Sequence, residues 1–431
     1  MRCVKLKEIL CINGGNELSG EVSIGGAKNS LVAIIAASII TKSVVKLENV
    51  IPIDDTYTLI SILNKLNVST LYDNKSCLYI DARKIKNVKL NIEEVMKMRA
   101  SYYFMGSLLS LYKKVSVIGP GGCNFGERPI DLHLYAFECL GVKCNVEGNM
   151  YNFYKDNKGV KQIDFDKKSV GATINAILAS CRVRGRVIIT NCALEPEVDD
   201  LINFLNKCGC EIYRYNESII VKGVSSLHGC EYKIMSDRIE AGTFMIIGGL
   251  LGNNLKINNV NCDHVRSLID VLKDIGVKVV ENKNSVIVSK ESNYKSIDVV
   301  VNPYPGFPTD LQQPLTVLLS VCNGVSSIKE TIYPARLSHI ESLNKMNADI
   351  KIENDLIVVN GNRQFVNGEV SGKDLRGGIS LVVAALLAKG DSKIDGVKYI
   401  KRGYSDLIYK LNKIGANIKL ERIEENEKEI N

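Results

Sequence analysis

The chain has 431 residues, 45% of them hydrophobic and 24% charged, with 34 glycines, 9 prolines and no tryptophan. That length holds two or three domains, and the apolar fraction excludes a disordered or collagen-like chain. Lys and Arg number 55 against 48 Asp and Glu, a net charge of +7, and aromatics make up 6%; so mild an excess fits an anionic small molecule better than a nucleic-acid duplex, and so few rings make a stacking platform for single strands a poor fit.

At the N-terminus Lys5, Lys7 and Glu8 interrupt the apolar residues, so no secretory segment is expected. The longest apolar run, residues 31–40, is half a membrane span and predicts a buried helix, with no membrane insertion. The same kind of segment returns along the chain, as GAKNSLVAIIAAS, MRASYYFMGSLL, VGATINAILAS, EAGTFMIIGGLL, TDLQQPLTVLLSV and LRGGISLVVAALLA. With Lys28, Arg99, Gly171, Ala241, Asp310 and Arg376 as equivalent points, the steps run from 66 to 72 residues.

Amphipathic helices alternate with these segments and stop at Asn67, Gly141, Gly209, Gly276, Asn347 and Gly415, in steps of 67 to 74 residues. Gly and Asn recur there because a helix C′ position takes the left-handed conformation. Two independent markers therefore predict six units of about 70 residues, each a buried helix, a strand, an amphipathic helix and a further strand or two. Candidate strands include Val115–Gly119, Val187–Thr190, Ile219–Val221 and Val286–Val288, all short and β-branched. Six units divide as three plus three, giving two similar α/β domains with a seam around residues 232–238, and the polar stretch ERIEENEKEIN is expected to fray.

The thirteen cysteines are scattered, contain no Cys-x-x-Cys, and stand in no metal-ligand spacing with the four histidines. A reducing, cytoplasmic setting without a metal site is the natural reading, with most cysteines as small core residues. Three features can carry chemistry. The first is the loop Gly119-Pro120-Gly121-Gly122-Cys123-Asn124-Phe125-Gly126-Glu127-Arg128-Pro129, where Cys123 is either an incidental loop residue or a thiol activated near Arg128. The second is the set of cations at the buried-helix starts, Lys28, Arg99, Arg238 and Arg376, which oppose the helix dipole and point either to a bound anion or to pairing with Asp and Glu. The third is Asp310, with Thr309 as candidate cap: a carboxylate where other units place a cation, suited to a plain helix start or to accepting a proton. Arg336 and Arg402 add cations at later loop-to-helix junctions, and His133 reads as a satisfied structural histidine.

Nine motifs then fall in order over residues 12–420: Gly26-Ala27-Lys28-Asn29, Met98-Arg99-Ala100-Ser101, Gly121-Gly122-Cys123, Gly126-x-Arg128-Pro129-x-Asp131-Leu132-His133, Ser169-Val170-Gly171-Ala172-Thr173, Asp237-Arg238-Ile239-Glu240-x-Gly242-Thr243, Phe307-Pro308-Thr309-Asp310, Asp374-Leu375-Arg376 and Arg402-Gly403-Tyr404. In these the chain resembles the UDP-N-acetylglucosamine enolpyruvyl transferases. The resemblance implies a two-domain inside-out α/β barrel, three repeated units in each domain, with residues 1–22 and 236–431 in one domain and 23–235 in the other. It implies transfer of enolpyruvate from phosphoenolpyruvate to the 3′-hydroxyl of UDP-N-acetylglucosamine, with release of phosphate through a tetrahedral ketal. That is the first committed step of peptidoglycan precursor synthesis, and it takes neither metal nor cofactor.

The resemblance also implies roles. Cys123 corresponds to the loop cysteine that contacts phosphoenolpyruvate and is alkylated by fosfomycin. Lys28, Arg128 and Arg402 correspond to the phosphoenolpyruvate cations, with Arg376 and Asp374 at the domain closure. Asn29, Arg99, Pro129, Ile130, Asp131, Leu132, Lys167, Ser169, Val170 and Ile332 correspond to the UDP-sugar site, and Asp310 to the residue facing the attacking hydroxyl. Asn124 and Glu127 depart from the smaller residues usual in that loop, and Gly377-Gly378 replaces an Ala-Ser pair, which is expected to loosen that helix start. A shikimate-type transferase and a non-catalytic UDP-sugar-binding relative are the alternatives.

Overall fold

The computed structural model describes residues 6–90, 93–119, 130–156 and 159–424. Contacts divide the chain into two compact units, Gly26–Ser236 and Met1–Gly25 with Asp237–Asn431. The unit Gly26–Ser236 is built on three buried helices, α1 (Lys28–Ser38), α2 (Tyr103–Leu111) and α3 (Val170–Ser180). Helix α2 packs against both α1 and α3. The other unit has α4 (Arg238–Leu251), α5 (Thr309–Leu319) and α6 (Leu375–Leu387), which pack on one another. Nearly every residue of these helices is buried, as helices apolar all round must be.

Six small sheets cover the helices, three in each unit. Five share one pattern among the described residues: a short strand parallel to a central one, then antiparallel neighbours. In the first unit Glu231–Lys233 runs parallel to Val44–Glu48, which pairs antiparallel with Leu78–Asp81, as Gln162–Asp164 does beside Gly185–Thr190 and Ser218–Gly223. In the second, Glu21–Ser23 lies parallel to Leu255–Asn258, and Asp298–Val301 to Val325–Glu330. Among the described residues, the sixth sheet, centred on Met150–Lys155, has its parallel partner as the isolated bridge from Leu90 to Val117. The N-terminal strand Leu6–Gly14 sits inside the last sheet, antiparallel to both Gly390–Asp395 and Asn417–Glu424.

Every helix stop read from the sequence has positive φ: Asn67 at 60°, Gly141 at 74°, Gly209 at 95°, Gly276 at 104°, Asn347 at 72° and Gly415 at 107°. The four candidate strands are present: Val115–Gly119 is shifted by one residue to Lys114–Ile118, and the other three are extended, to Gly185–Thr190, Ser218–Gly223 and Ser285–Ser289. Two expectations are corrected. Of the stretch ERIEENEKEIN, Glu421–Glu424 does not fray, because its backbone pairs with Leu6–Ile9, and residues 425–431 lie outside the described residues. Arg99 opens a 3-10 turn, Arg99–Tyr102, and α2 begins only at Tyr103.

The left-handed stop makes a simple forecast. Gly276 is strained for any side chain by its φ of 104°, so Gly276→Ala lowers unfolding free energy by about 1 kcal/mol. Asn67→Gly, at a position already left-handed, leaves stability within about 0.5 kcal/mol. Urea titration of the two variants checks the contrast.

Candidate active site

In the unit Asp237–Asn431 the starts of the buried helices carry a connected polar network. Pro308, not Thr309, caps α5, and Thr309 is its first helical residue. The Thr309 hydroxyl donates to Glu330 Oε2 at 2.8 Å and accepts from Arg336 Nη1 at 2.9 Å. Glu330 Oε1 takes the backbone N–H of Ile332 at 2.8 Å and of Tyr333 at 3.0 Å. Asp310 is held from two sides, by Arg336 Nη1 at 2.8 Å and Arg376 Nη2 at 2.9 Å. Arg376 also donates from Nη1 to the Tyr404 hydroxyl at 3.1 Å, and that hydroxyl lies 2.8 Å from Thr243 Oγ1 on α4.

Asp374 caps α6, accepting from the backbone N–H of Arg376 and Gly377, and its second oxygen takes the Ser338 hydroxyl. The cation at this helix start is therefore tied to a carboxylate. Burial alone would raise the Asp310 pKa, but the two guanidiniums outweigh it and hold the carboxyl well below the ordinary range. The same carboxylate keeps Arg376 firmly charged against its own burial. Arg336 and Arg376 are 5% and 4% exposed at the side chain and Asp310 23%, so the carboxylate is the member that reaches solvent. Arg402 lies in the following turn, two residues before Tyr404, with its backbone N–H on Tyr399 O.

In the unit Gly26–Ser236, Lys28 begins α1 and pairs with Asp55 at 3.1 Å, the Asp side chain being 5% exposed. Asn29 follows, half-buried. Helix α1 packs on the Arg99–Tyr102 turn, where the Arg99 guanidinium stands 5.7 Å from the Tyr102 ring centroid. Tyr102 meets the His133 ring edge-on at 4.6 Å. Both crowd the first turn of α3: a Cβ on Gly171 would lie 2.6 Å from the Tyr102 hydroxyl and 3.0 Å from His133 Cε1. Ser169 caps α3 through its side chain, Val170 is the first helical residue, and Lys167 is exposed. Ile130 and Leu132 are buried on either side of exposed Asp131, which opens the helix Asp131–Cys139.

His133 is a structural group, as its sequence context indicates. Asn175 Oδ1 accepts from Gly106 N, which orients the amide so that its Nδ2 donates to His133 Nδ1 at 2.8 Å. Burial, aided by the Arg99 charge, lowers its pKa to about 3, so the ring is neutral. His339, buried between Gln312 and Gln313, is likewise lowered to about 3 by burial.

Cys123, Glu127, Arg128 and Pro129 lie outside the described residues. Asp55, Glu330 and the pairing of Arg336 were not singled out from the sequence. The only signal for Asp55 was the acid pair Asp54-Asp55 at a helix start, which also reads as ordinary dipole compensation. Gly378 sits at a close approach: a Cβ on it would meet Ile400 Cγ1 at 2.8 Å, and one on Gly372 would meet Gly378 Cα at 2.7 Å.

No group of His, Cys, Asp and Glu that could hold a metal ion is found among the described residues, and no helix there is long and apolar enough to cross a membrane.

Residues 12–411 match the family model described as EPSP synthase (3-phosphoshikimate 1-carboxyvinyltransferase). Among curated proteins the chain is 44% identical over 411 residues to UDP-N-acetylglucosamine 1-carboxyvinyltransferase 2 of Listeria monocytogenes, covering 95% of this chain and 97% of the relative. It is 43% identical over 411 residues to UDP-N-acetylglucosamine 1-carboxyvinyltransferase of Clostridium botulinum, with 95% and 99% covered. Among solved structures, the enolpyruvyl transferase NikO from Streptomyces tendae superposes with a TM-score of 0.89 at 23% identity, over 97% of this chain and all of that one. EPSP synthase from Acinetobacter baumannii gives 0.72 at 16% identity, over 96% and 100%.

The two buried histidines set an acid limit. An ordinary histidine takes a proton near pH 6.5 and these only near 3, so between those values the unfolded chain binds protons that the folded chain refuses. Stability therefore falls as pH drops from about 6.5 toward 3, by up to about 1.4 kcal/mol per pH unit for each ring. Asp310 acts in the window below the ordinary carboxylate pKa of 3.8, where protonation removes its pairing energy. Denaturant titrations at pH 7, 5.5 and 4.5 are expected to show the decline and His133→Gln to flatten it; equal stability at all three values in the native chain contradicts the assignment.

Proposed function

We infer that this chain, which belongs to the EPSP synthase (3-phosphoshikimate 1-carboxyvinyltransferase) family, transfers the enolpyruvyl group of phosphoenolpyruvate to the 3′-hydroxyl of UDP-N-acetylglucosamine with release of phosphate. The observation that carries the choice of acceptor is 44% identity over 95% of the chain to a relative of that name. The family description alone would favour a shikimate acceptor.

The reaction needs an anion site, a proton for C3 of the enol, and a group to receive the hydroxyl proton. The phosphoenolpyruvate cations are assigned to Lys28, Arg128 and Arg402, and Arg376 and Asp374 are assigned to substrate binding as well. Cys123 is the C3 proton donor in this reading and the thiol open to fosfomycin. The UDP-sugar is assigned to Asn29, Arg99, Pro129, Ile130, Asp131, Leu132, Lys167, Ser169, Val170 and Ile332.

Asp310 receives the hydroxyl proton. Clamped by two guanidiniums it is a weak base, and a substrate phosphate or carboxylate competing for Arg376 would loosen the clamp and raise its basicity as the hydroxyl arrives. Buried cations fixed beforehand cost no reorganisation when charge develops on the ketal. The three-sheet units support an inside-out barrel in each of two domains, 23–235 and 1–22 with 236–431. Peptidoglycan precursor synthesis, linked to cell shape and division, in the cytoplasm is the setting that follows from this substrate.

Phosphate release is expected only when both substrates are present, and 3-phosphoshikimate is not expected to replace the UDP-sugar. Asp310→Asn is expected to lower kcat by roughly 10²–10⁴-fold, and Cys123→Ala to abolish turnover and fosfomycin labelling together. Phosphate release from phosphoenolpyruvate without the UDP-sugar, or equal turnover with the shikimate acceptor, overturns the reading. Tight UDP-sugar binding by calorimetry with no turnover would favour a binding protein instead.

A further inference from the structure

Cys181, Cys192, Cys210 and Cys322 are buried as small side chains, and desolvation pushes up the thiols of Cys139, Cys144, Cys192, Cys262 and Cys322. Cys208 and Cys230 are arranged differently. Their sulfurs lie 3.4 Å apart. Cys208 ends the helix Pro196–Lys207 and is fully buried, while Cys230, just before the strand Glu231–Lys233, is half-buried. The backbone holds the two together independently of the sulfurs. His228 N donates to Cys208 O at 2.9 Å and Lys46 N to Cys230 O at 2.9 Å, while Gly209, at φ 95°, leaves room for the His228 ring against it.

The pair is also unequal. The two sulfurs share a hydrogen bond; beside Cys208, and with Lys207 and His228 nearby, the Cys230 thiol is brought down to about 7, while Cys208 is pushed up, first by Cys230 and then by burial. A reachable thiolate beside a protonated, buried partner is the arrangement of an attacking and a resolving cysteine.

We propose that Cys208 and Cys230 form a reversible redox modification site that exchanges with low-molecular-weight disulfides of the glutathione class. The Cys230 thiolate attacks one sulfur of the oxidant disulfide and releases one thiolate. Cys208 then gives its proton to water and attacks the Cys230 sulfur, expelling the second thiol. Two cysteine thiols lose two electrons to one disulfide, which becomes two thiols. A disulfide bond is about 2.05 Å long, so closing the 3.4 Å gap asks little of segments already paired through their backbones. The site stands apart from the assigned reaction, and its test does not depend on it.

The full chain is incubated with glutathione disulfide, its remaining thiols are alkylated, and the peptides are mapped by mass. The expected product links Cys208 to Cys230, is lighter by two hydrogens and is reversed by dithiothreitol. In Cys208→Ala the link is lost and glutathione accumulates on Cys230. The proposal fails if both cysteines are recovered alkylated from oxidised protein, or if either is linked instead to Cys210, Cys181 or another cysteine. The native chain's map decides the matter even if the variant does not fold.

Discussion

A helix with no polar face has to be enclosed, and that requirement shapes both units. Helices α1 to α6 expose almost nothing along their sides, so each unit wraps its three helices in three small sheets. Along such helices apolar side chains predominate, and several of the hydroxyls they carry, those of Ser180, Thr243, Thr316 and Ser380 among them, bond back to the helix's own carbonyls. Charge is confined to the ends. The groups assigned to substrates therefore collect at helix starts, where Lys28, Ser169, Asp310 and Arg376 all stand within two residues of a helix's first turn.

Confinement at the ends makes neighbours interdependent. Asp310 and Arg376 belong to different helices, Arg336 to a loop and Tyr404 to another, yet each completes the hydrogen bonding of the next. Breaking one member of such a set leaves a partly buried charge without its partner, a far larger penalty than losing a surface pair. The cation at the start of α6, locally at odds with the helix dipole, is tolerated because Asp374 caps the same helix and Asp310 pairs with the guanidinium.

The repeat was legible because it rests on local physics. A left-handed stop demands Gly or Asn, and Asn67, Gly141, Gly209, Gly276, Asn347 and Gly415 announce themselves for that reason. The buried helices were legible from unbroken apolar runs. Partnerships were not. Asp310 meets Arg336 and Arg376 across 26 and 66 residues, and Cys208 meets Cys230 only because two backbones are laid side by side. Glu421–Glu424 looked like a polar tail because its partner, Leu6–Ile9, lies at the other end of the chain. The assigned roles of Lys28, Asn29, Arg99 and Arg402 came from resemblance; the local sequence of Lys28 and Arg99 leaves open a bound anion or pairing with a carboxylate.

The strand Leu6–Gly14 has a consequence for how the protein is made. It is translated well before both of its neighbours, Gly390–Asp395 and Asn417–Glu424. The unit Gly26–Ser236 has all its residues once position 236 has emerged and can collapse during translation, as N-terminal domains do. The opening strand must meanwhile remain an unpaired apolar edge tethered to a folded body, its pairing deferred by a long loop closure. The alternating Lys7 and Glu8 at its start place charge on that waiting edge, the usual guard against wrong pairing.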